Sequence, residues 1–207
     1  MEISWYGLSC FRITERQHAT VITDPFDASI GLNVPKLKGD IVTTSHAAGG
    51  HNNAAAVPGH LHVLSGPGEY EIGNVFVTGI AAHANKRRNV VFRLDFDGLT
   101  VAHLGDVSKI LNQQQIESLG QVNVLLLPVG GGTTLNATQA AELVSLIEPN
   151  YVIPMHYQSD GLSLKLDGVE RFLKEMGSSE VEPKASLRVS LSGLPEETQT
   201  ILLKSKG

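Results

Sequence analysis

The first half of the chain is a series of short apolar runs separated by turn-forming residues. The runs are rich in Val, Ile, Leu and Phe, and they occupy residues 2–13, 19–24, 40–45, 60–65, 73–81, 89–96 and 99–105. Their lengths and their Gly, Pro, Asn and Asp boundaries are typical of β-strands. The segment RLDFDGLTV places an Asp-Gly pair between two runs, which is the strongest short-range hairpin signal. We therefore expect this half to form a mostly antiparallel sheet.

After residue 106 the apolar positions take on helical spacing. LNATQAAELVSLIEP has Asn136 and Gln139 at the spacing of a capping box and stops at a proline. LDGVERFLKEMG repeats this pattern, with Asp167 and Glu170 as the expected capping pair and Gly177 as the terminator. A third helix is predicted over residues 112–119.

Between these helices lie two continuous apolar runs, VNVLLLPVGGG and NYVIPMHY. Uninterrupted apolar runs are expected of strands that are buried on both faces, so helices must cover both sides of the sheet. The tail segments SLRVSL and QTILLK supply two more alternating strands. The fold class predicted is α/β, in one domain that spans residues 1–207.

Composition excludes several kinds of protein. Hydrophobic residues make up 42% of the chain and charged residues 18%, which is enough apolar material for a packed core and too little charge for disorder. A net charge of -5 gives no broad basic surface, so nucleic acid is not an expected partner. The single cysteine, the lack of a signal-peptide pattern and the lack of a long apolar run predict a cytoplasmic protein without a membrane span.

Candidate chemistry comes from histidines and a carboxylate at the predicted ends of strands. His46, His83 and His156 each follow an apolar run, His51 lies in the loop that His46 opens, and Asp106 ends the run VAHLGD. Imidazole and carboxylate ligands suit Zn, Fe or Mn. Each residue alone is more often a hydrogen-bonded core or surface group, but the five together favour a metal site.

Other polar residues are weaker candidates. His60 and His62 face the same side of one strand, yet nothing acidic or thiolate lies near them in sequence. His103 is three residues before Asp106 and therefore faces the opposite side of the strand, which favours a supporting or core role. Cys10 lies in an apolar run without an adjacent base, so it is not a candidate nucleophile.

Seven motifs give the chain a resemblance to a known family. They are ISWYGLSCFRI, TDPF, TTSHAAGGHNN, GPGEYEIG, AHLGD, LLLPVGGGTT and VIPMHY. Together they resemble the metallo-β-lactamase superfamily, in its small branch of metal-dependent hydrolases similar to ascorbate-phosphate lactonase. The resemblance implies a four-layer αββα sandwich with a metal site at one edge of the two sheets.

The sequence departs from the family where that site is built. The family loop is H-x-H-x-D-H, and it aligns His46 and His51 with its first and last histidines. Ala48 then stands at the second histidine and Gly50 at the aspartate, while Leu8 stands where the branch has a histidine. All three departures remove a polar group.

The resemblance also implies how the remaining ligands are shared. His46 and His83 would belong to one metal subsite, His51 and His156 to the other, and Asp106 would bridge them. Each subsite then lacks one ligand, so we expect one zinc ion or none rather than two, with Mn or Fe as alternatives to Zn.

Three functions remain open from the sequence. The first is a hydrolase-like protein with a depleted metal site, impaired or inactive as a dinuclear enzyme. The second is a mononuclear hydrolase of an ester, lactone or phosphoester, in which Asp106 is both a ligand and the catalytic proton acceptor. The third is a metal-free binding or assembly module.

A basic segment follows His83 by a few residues. HANKRRN contains Lys86, Arg87 and Arg88, and Arg87 with Arg88 could bind an anionic substrate through bidentate contacts. The alternative is a solvated turn before the next strand, because charge runs usually face water. A small anionic substrate is therefore one expectation, while the oligomeric state is left open.

Overall fold

Two mixed β-sheets form the body of the protein. The structure is a computed structural model, and it describes residues 1–83, 88–178 and 180–207. The strands of the first sheet are β1 (Glu2–Gly7), β2 (Cys10–Thr14), β3 (Val21–Thr23), β4 (Ile41–Thr43), β5 (His62–Leu64) and β12 (Leu187–Arg188). Their order in the sheet is β12-β1-β2-β3-β4-β5.

The second sheet combines an antiparallel half with a parallel half. Its strands are β6 (Gly68–Ile72), β7 (Val75–Ala81), β8 (Val90–Phe96), β9 (Leu99–His103), β10 (Val124–Pro128), β11 (Tyr151–Met155) and β13 (Gln199–Thr200). The order is β13-β11-β10-β9-β8-β7-β6. Strands β6 to β9 are antiparallel neighbours, and β9, β10, β11 and β13 are parallel. The two continuous apolar runs are therefore the parallel buried strands β10 and β11, as predicted.

In the described part of the chain, three α-helices accompany the sheets: α1 (Gln113–Leu119), α2 (Ala137–Ile147) and α3 (Glu170–Glu175). The capping box of α2 is confirmed, because the Asn136 side chain accepts from the Gln139 backbone and the Gln139 side chain accepts from the Asn136 backbone. The predicted helix at residues 112–119 is also confirmed as α1. Among the described residues, no helix is both long enough and apolar enough to cross a membrane.

The prediction that Asp167 and Glu170 form the capping pair of α3 is wrong. The residue before the helix is Val169, which makes no side-chain cap, and the Asp167 carboxylate instead accepts a hydrogen bond from Arg171 at 2.9 Å. The Asp167 backbone is bonded to the backbones of Gln158 and Gly130. Because these long-range bonds hold Asp167 in a loop, it lies too far before the helix to cap it.

Two strand predictions also need correction. The run 2–13 contains two strands, β1 and β2, which are separated at Leu8, a residue with a φ of 46°. Strand β6 was not predicted, since its sequence GEYEI carries charge at alternate positions and begins at a glycine of the turn sequence GPG. The first half is mostly antiparallel, as predicted, although β3, β4 and β5 are parallel neighbours. The Asp97-Gly98 hairpin between β8 and β9 is confirmed, with φ values of 53° and 90° at these residues.

The main apolar core joins both sheets and the helices. It includes Phe11 of β2, Phe92 of β8 and Phe172 of α3, all fully buried. A second, smaller apolar cluster contains Leu8, Ile30 and other buried residues of the first sheet and its loops. Two sheets with helices packed on them form an α/β sandwich of the αββα type, as the sequence predicts.

Candidate metal centre

The C-terminal ends of several parallel strands meet at one edge of the two sheets. Parallel pairing of β3 with β4 brings Asp24 next to the loop that holds Ser45 and His46. Parallel pairing of β9, β10 and β11 brings Asp106 and His156 to the corresponding edge of the second sheet. Side chains at such strand ends are displayed together, and this is where open sheets of this kind build their sites.

Asp106 is the centre of a cluster of buried imidazoles. One of its carboxylate oxygens, Oδ2, lies 3.5 Å from His46 Nε2, and the other, Oδ1, lies 3.5 Å from His156 Nε2. The His46 and His51 rings have centroids 4.2 Å apart, and the His51 and His156 rings stack at 5.3 Å. We call His46, His51, Asp106 and His156 the polar wall.

Three members of the polar wall form a donor group. One ligand atom from each of His46, His51 and Asp106 lies within 4.8 Å of the others. Two imidazole nitrogens and a carboxylate oxygen form a donor set that Zn, Mn and Fe accept, and catalytic zinc sites commonly use three protein ligands and an open position. The residues present therefore fit one metal ion.

A buried carboxylate that the sequence analysis did not single out supports this group. Asp24 accepts hydrogen bonds from the Ser45 backbone at 2.7 Å, from Ser45 Oγ at 2.5 Å and from His51 Nδ1 at 2.7 Å. The bond to Asp24 puts the His51 proton on Nδ1, so Nε2 carries the lone pair that a metal ligand needs. Asp24 follows the apolar run of β3, so the strand-end criterion used for the other ligands would have found it.

Burial sets the ionisation of the groups behind the polar wall. It raises the pKa of the Asp24 carboxyl, while the charge of the nearby His103 imidazole and the hydrogen bonds from Ser45 act in the opposite direction. Burial also lowers the pKa of His103, which favours its neutral form. His103 Nε2 lies 2.9 Å from the Ser9 carbonyl oxygen, which agrees with the supporting role expected from its strand position.

The backbone is strained at three residues of the site. Leu8, Asp24 and His156 have φ values of 46°, 39° and 53°, in the left-handed region that residues other than glycine rarely adopt. The His156 backbone N–H donates to the Leu8 carbonyl at 3.1 Å, so two of these residues hold each other. Strained positions of this kind cost on the order of 1–3 kcal/mol each and cluster at functional sites.

An apolar surface lines the same cavity as the polar wall, and the cavity has a volume of about 370 Å³. It is formed by Leu8, Ile30, Leu164 and Leu166, which we call the apolar wall. Gly50, also in the lining, fits closely against it. A Cβ at position 50 would lie 3.0 Å from Leu8 Cδ2 and 3.2 Å from Ile30 Cγ2. The leucine at position 8 and the glycine at position 50 are therefore packed as a complementary pair.

The remaining candidates lie beside this cavity. His83 is exposed, its Nδ1 accepts from the Asn89 backbone N–H at 3.2 Å, and it lines a second cavity of about 590 Å³ together with Arg88. His46 borders both cavities. The predicted substrate contact Arg87 falls outside the described residues. The structure thus brings His46, His51, Asp106 and His156 together, and the assignment of His83 as a ligand stays a prediction.

Comparisons with known proteins agree with this architecture. A family model described as a β-lactamase superfamily domain matches residues 2–156. A metal-dependent hydrolase of Archaeoglobus fulgidus is 26% identical over 196 residues, which cover 77% of this chain and 84% of that protein. A metal-dependent hydrolase of Thermoplasma acidophilum is 28% identical over 192 residues, again covering 77% and 84%.

A solved structure extends the similarity to the whole chain. A Thermotoga maritima protein, described as a Zn-dependent hydrolase of the metallo-β-lactamase superfamily, is 32% identical with a TM-score of 0.84 and covers 99% of both chains. The family model spans more than half of the present chain. This protein therefore belongs to the metallo-β-lactamase superfamily, in a family of metal-dependent hydrolases.

Proposed function

We propose that this protein is a hydrolase with a single metal ion, held by His46, His51 and Asp106. The observation that carries this proposal is the donor group itself, whose ligand atoms lie within 4.8 Å of one another. The hydrogen bond from His51 Nδ1 to Asp24 supports it, because metal-ligating histidines usually donate their other N–H to a carboxylate or carbonyl. The relatives in Archaeoglobus fulgidus and Thermoplasma acidophilum are named metal-dependent hydrolases, which agrees with this activity.

The same residues argue against a dinuclear centre. The resemblance assigns His46 to one subsite and His51 to the other, but in this structure both belong to one donor group. Ala48 and Gly50 line the cavity without offering a ligand atom, and a Cβ at position 50 would lie only 3.0 Å from Leu8 Cδ2, so a side chain there would require Leu8 to shift. A depleted site in this sense is one that has lost its second ion while keeping the first.

Asp106 and His156 supply the proton chemistry. A divalent ion held here would supply Lewis acidity, which would polarise the carbonyl or phosphoryl oxygen of the substrate and lower the pKa of a water molecule. During hydrolysis the water oxygen bonds to the acyl or phosphoryl centre, and the bond to the leaving oxygen breaks. Asp106 accepts the proton of that water, and His156, 3.5 Å away from Asp106 Oδ1, relays it to the leaving oxygen.

One observation favours a second candidate, a metal-free binding module. The close fit between Gly50 and Leu8 shows that part of the cavity is packed with apolar groups where the family resemblance implies polar ones. A cavity of this kind can bind a ligand without hydrolysing it. The two candidates differ in whether metal restores turnover.

The test uses protein stripped of metal and then supplied with Zn²⁺, Mn²⁺ or Fe²⁺. We expect one of these ions to give hydrolysis in a panel of carboxylic esters, lactones and phosphodiesters, and Asp106→Asn to abolish it. Glu142→Gln, the same change of carboxylate to amide at an exposed position of α2, is the control and should keep full activity. Failure to bind any of the three ions, together with no turnover of any substrate class, would support the metal-free binding module instead.

A further inference from the structure

The cavity at the metal centre exposes any occupant to two different surfaces. The polar wall and the apolar wall line the same cavity, whose volume is about 370 Å³. This volume is at the small end of the range of about 300–1,000 Å³ that is usual for small-molecule sites. A ligand that fills this cavity would contact the leucine and isoleucine side chains as well as the donor group.

The apolar wall is fixed by hydrogen bonds of its backbone. The Leu8 carbonyl accepts from Trp5 Nε1 at 3.0 Å as well as from the His156 N–H. The Ile30 carbonyl accepts from the Ser163 N–H at 2.8 Å, which ties the loop carrying Leu164 and Leu166 to the first sheet. Further along, the Asp167 N–H donates to the Gly130 carbonyl at 2.7 Å. Because these hydrogen bonds fix the segments on which the apolar wall is built, the wall is a preformed surface. Binding to it therefore requires little ordering of the chain.

The side chains of the lining provide few contacts for a phosphoryl group. Among the described lining residues, Lys165 is the one lysine or arginine, and it is exposed. The Asp106 carboxylate lies in the same cavity. A metal ion would attract the reacting group of an ester and of a phosphoester alike, so the choice between them falls to the side chains. Phosphoryl groups are usually bound by several arginine or lysine donors or by a helix N-terminus, and a single exposed lysine is a weak substitute.

We infer that the site acts on carboxylic esters or lactones with an apolar chain or ring, in preference to phosphoesters. This inference rests on the proposed hydrolase function and narrows its substrate class. The reacting carbonyl lies at the polar wall, and the hydrocarbon part lies against the apolar wall. Hydrolysis of such a substrate yields a carboxylic acid, so simple carboxylates are product analogues that reach both walls.

A series of carboxylates of increasing length measures the apolar wall directly. Butanoate, hexanoate and octanoate are titrated into the full chain by calorimetry, with and without added Zn²⁺. Burial of each methylene should strengthen binding by up to about fourfold. We expect affinity to rise at each step of two carbons, with the same ratio between chain lengths in the metal-loaded and the metal-free protein. Equal affinity across the series, or tighter binding of inorganic phosphate than of hexanoate, would overturn the inference.

A matched pair of leucine variants tests whether the increase of affinity with chain length arises at the apolar wall. Leu164 is 37% exposed and Leu146, on α2, is 50% exposed, so we expect the fold to tolerate asparagine at both positions. In Leu164→Asn, the ratio of the octanoate affinity to the hexanoate affinity should be at least threefold smaller than in the parent protein. In Leu146→Asn, this ratio should be unchanged. If Leu164→Asn also leaves it unchanged, the carboxylates bind elsewhere and the inference is wrong.

These results separate the substrate class from the metal-dependent activity. Dependence on chain length without metal binding would contradict the proposed function and leave the ligand class intact. Metal-dependent hydrolysis with no dependence on chain length would contradict the ligand class alone.

Discussion

The polar wall and the apolar wall of one cavity are built in different ways. The polar wall comes from residues at the ends of strands β4, β9 and β11 and their loops, and Asp24 at the end of β3 supports it. The apolar wall comes from the β1–β2 turn, the segment around Ile30 and the loop around Leu164, which lie far apart in sequence. Regular strands position the chemistry, and irregular segments shape the space in front of it.

The difference teaches how a depleted site, as we propose it, would keep the structure that supports its remaining ligands. The family resemblance implies polar groups at the positions of Ala48, Gly50 and Leu8, and in this structure Asp24 bonds both Ser45 and His51. A buried carboxylate is unfavourable unless its hydrogen bonds are satisfied, so Asp24 requires these partners whether or not an ion is present. The support is thus retained for stability as well as for binding.

The largest expected effect is the loss of metal affinity when one ligand of the polar wall is removed. His51→Ala removes one of the three donors and leaves Asp24 buried with one partner fewer. We expect metal affinity to fall more than about 100-fold, since even changes behind a ligand cost about 10- to 100-fold. Competition with a chromophoric chelator measures this affinity, and His62→Ala, an exposed histidine on β5, is the control. An unchanged affinity would remove His51 from the donor group.

A second prediction compares two substitutions in the loop between His46 and His51, one packed against the apolar wall and one exposed. Gly50→Asp restores a carboxylate but forces it against Leu8 and Ile30, so we expect the free energy of unfolding to fall by about 2–3 kcal/mol. Ala48→His adds a ligand at an exposed position of the same loop and should leave stability within about 0.5 kcal/mol while raising metal affinity. Denaturant titration of both variants checks the stability difference. Equal stability would show that Leu8 can move aside and that the walls are independent.

A third prediction concerns the residue behind the polar wall. Asp24→Asn keeps the size of the side chain but removes the charge that orients His51, so metal affinity should fall by about 10- to 100-fold. The protein should remain folded, as circular dichroism would show, because the amide can still accept from Ser45. Loss of folding together with binding would mean that Asp24 is purely structural.

The smallest expected effect is at the second cavity. Arg88→Ala removes an exposed cation near His83, and we expect hexanoate binding to change less than threefold because surface charges are screened by salt. A drop of tenfold or more at low salt would support the sequence-based proposal of an anionic substrate held by Arg87 and Arg88. It would also extend the substrate from the first cavity into the second.

The structural features that the sequence predicts correctly depend mostly on a few neighbouring residues. The Asn136 capping box and the Asp97-Gly98 turn depend on a few neighbouring residues, and both were predicted. The Asp167 cap failed because bonds to Gln158 and Gly130, distant in sequence, hold that residue in a loop. Strand β6 was missed because its charged residues hide the strand pattern at the edge of a sheet.

The candidate site also has features that the sequence predicts and features that depend on the folded structure. Strand-end placement and the loop that His46 opens picked out His46, His51, His83, Asp106 and His156, and the structure places all of these except His83 around one cavity. They did not indicate that Asp106 shares one donor group with His46 and His51, because Asp106 belongs to the second sheet and its position depends on how the two sheets meet. Apart from Leu8, the apolar wall carried no sequence signal, since Leu164 and Leu166 lie in an irregular loop without a motif.

The number of metal ions bound per chain tests the account most directly. Metal-free protein is titrated with Zn²⁺, and bound zinc is counted by native mass spectrometry and elemental analysis. The account predicts one ion per chain, lost in a variant that carries both His46→Ala and His51→Ala. Binding of two ions, or of none at micromolar zinc, would contradict a single donor group formed by His46, His51 and Asp106.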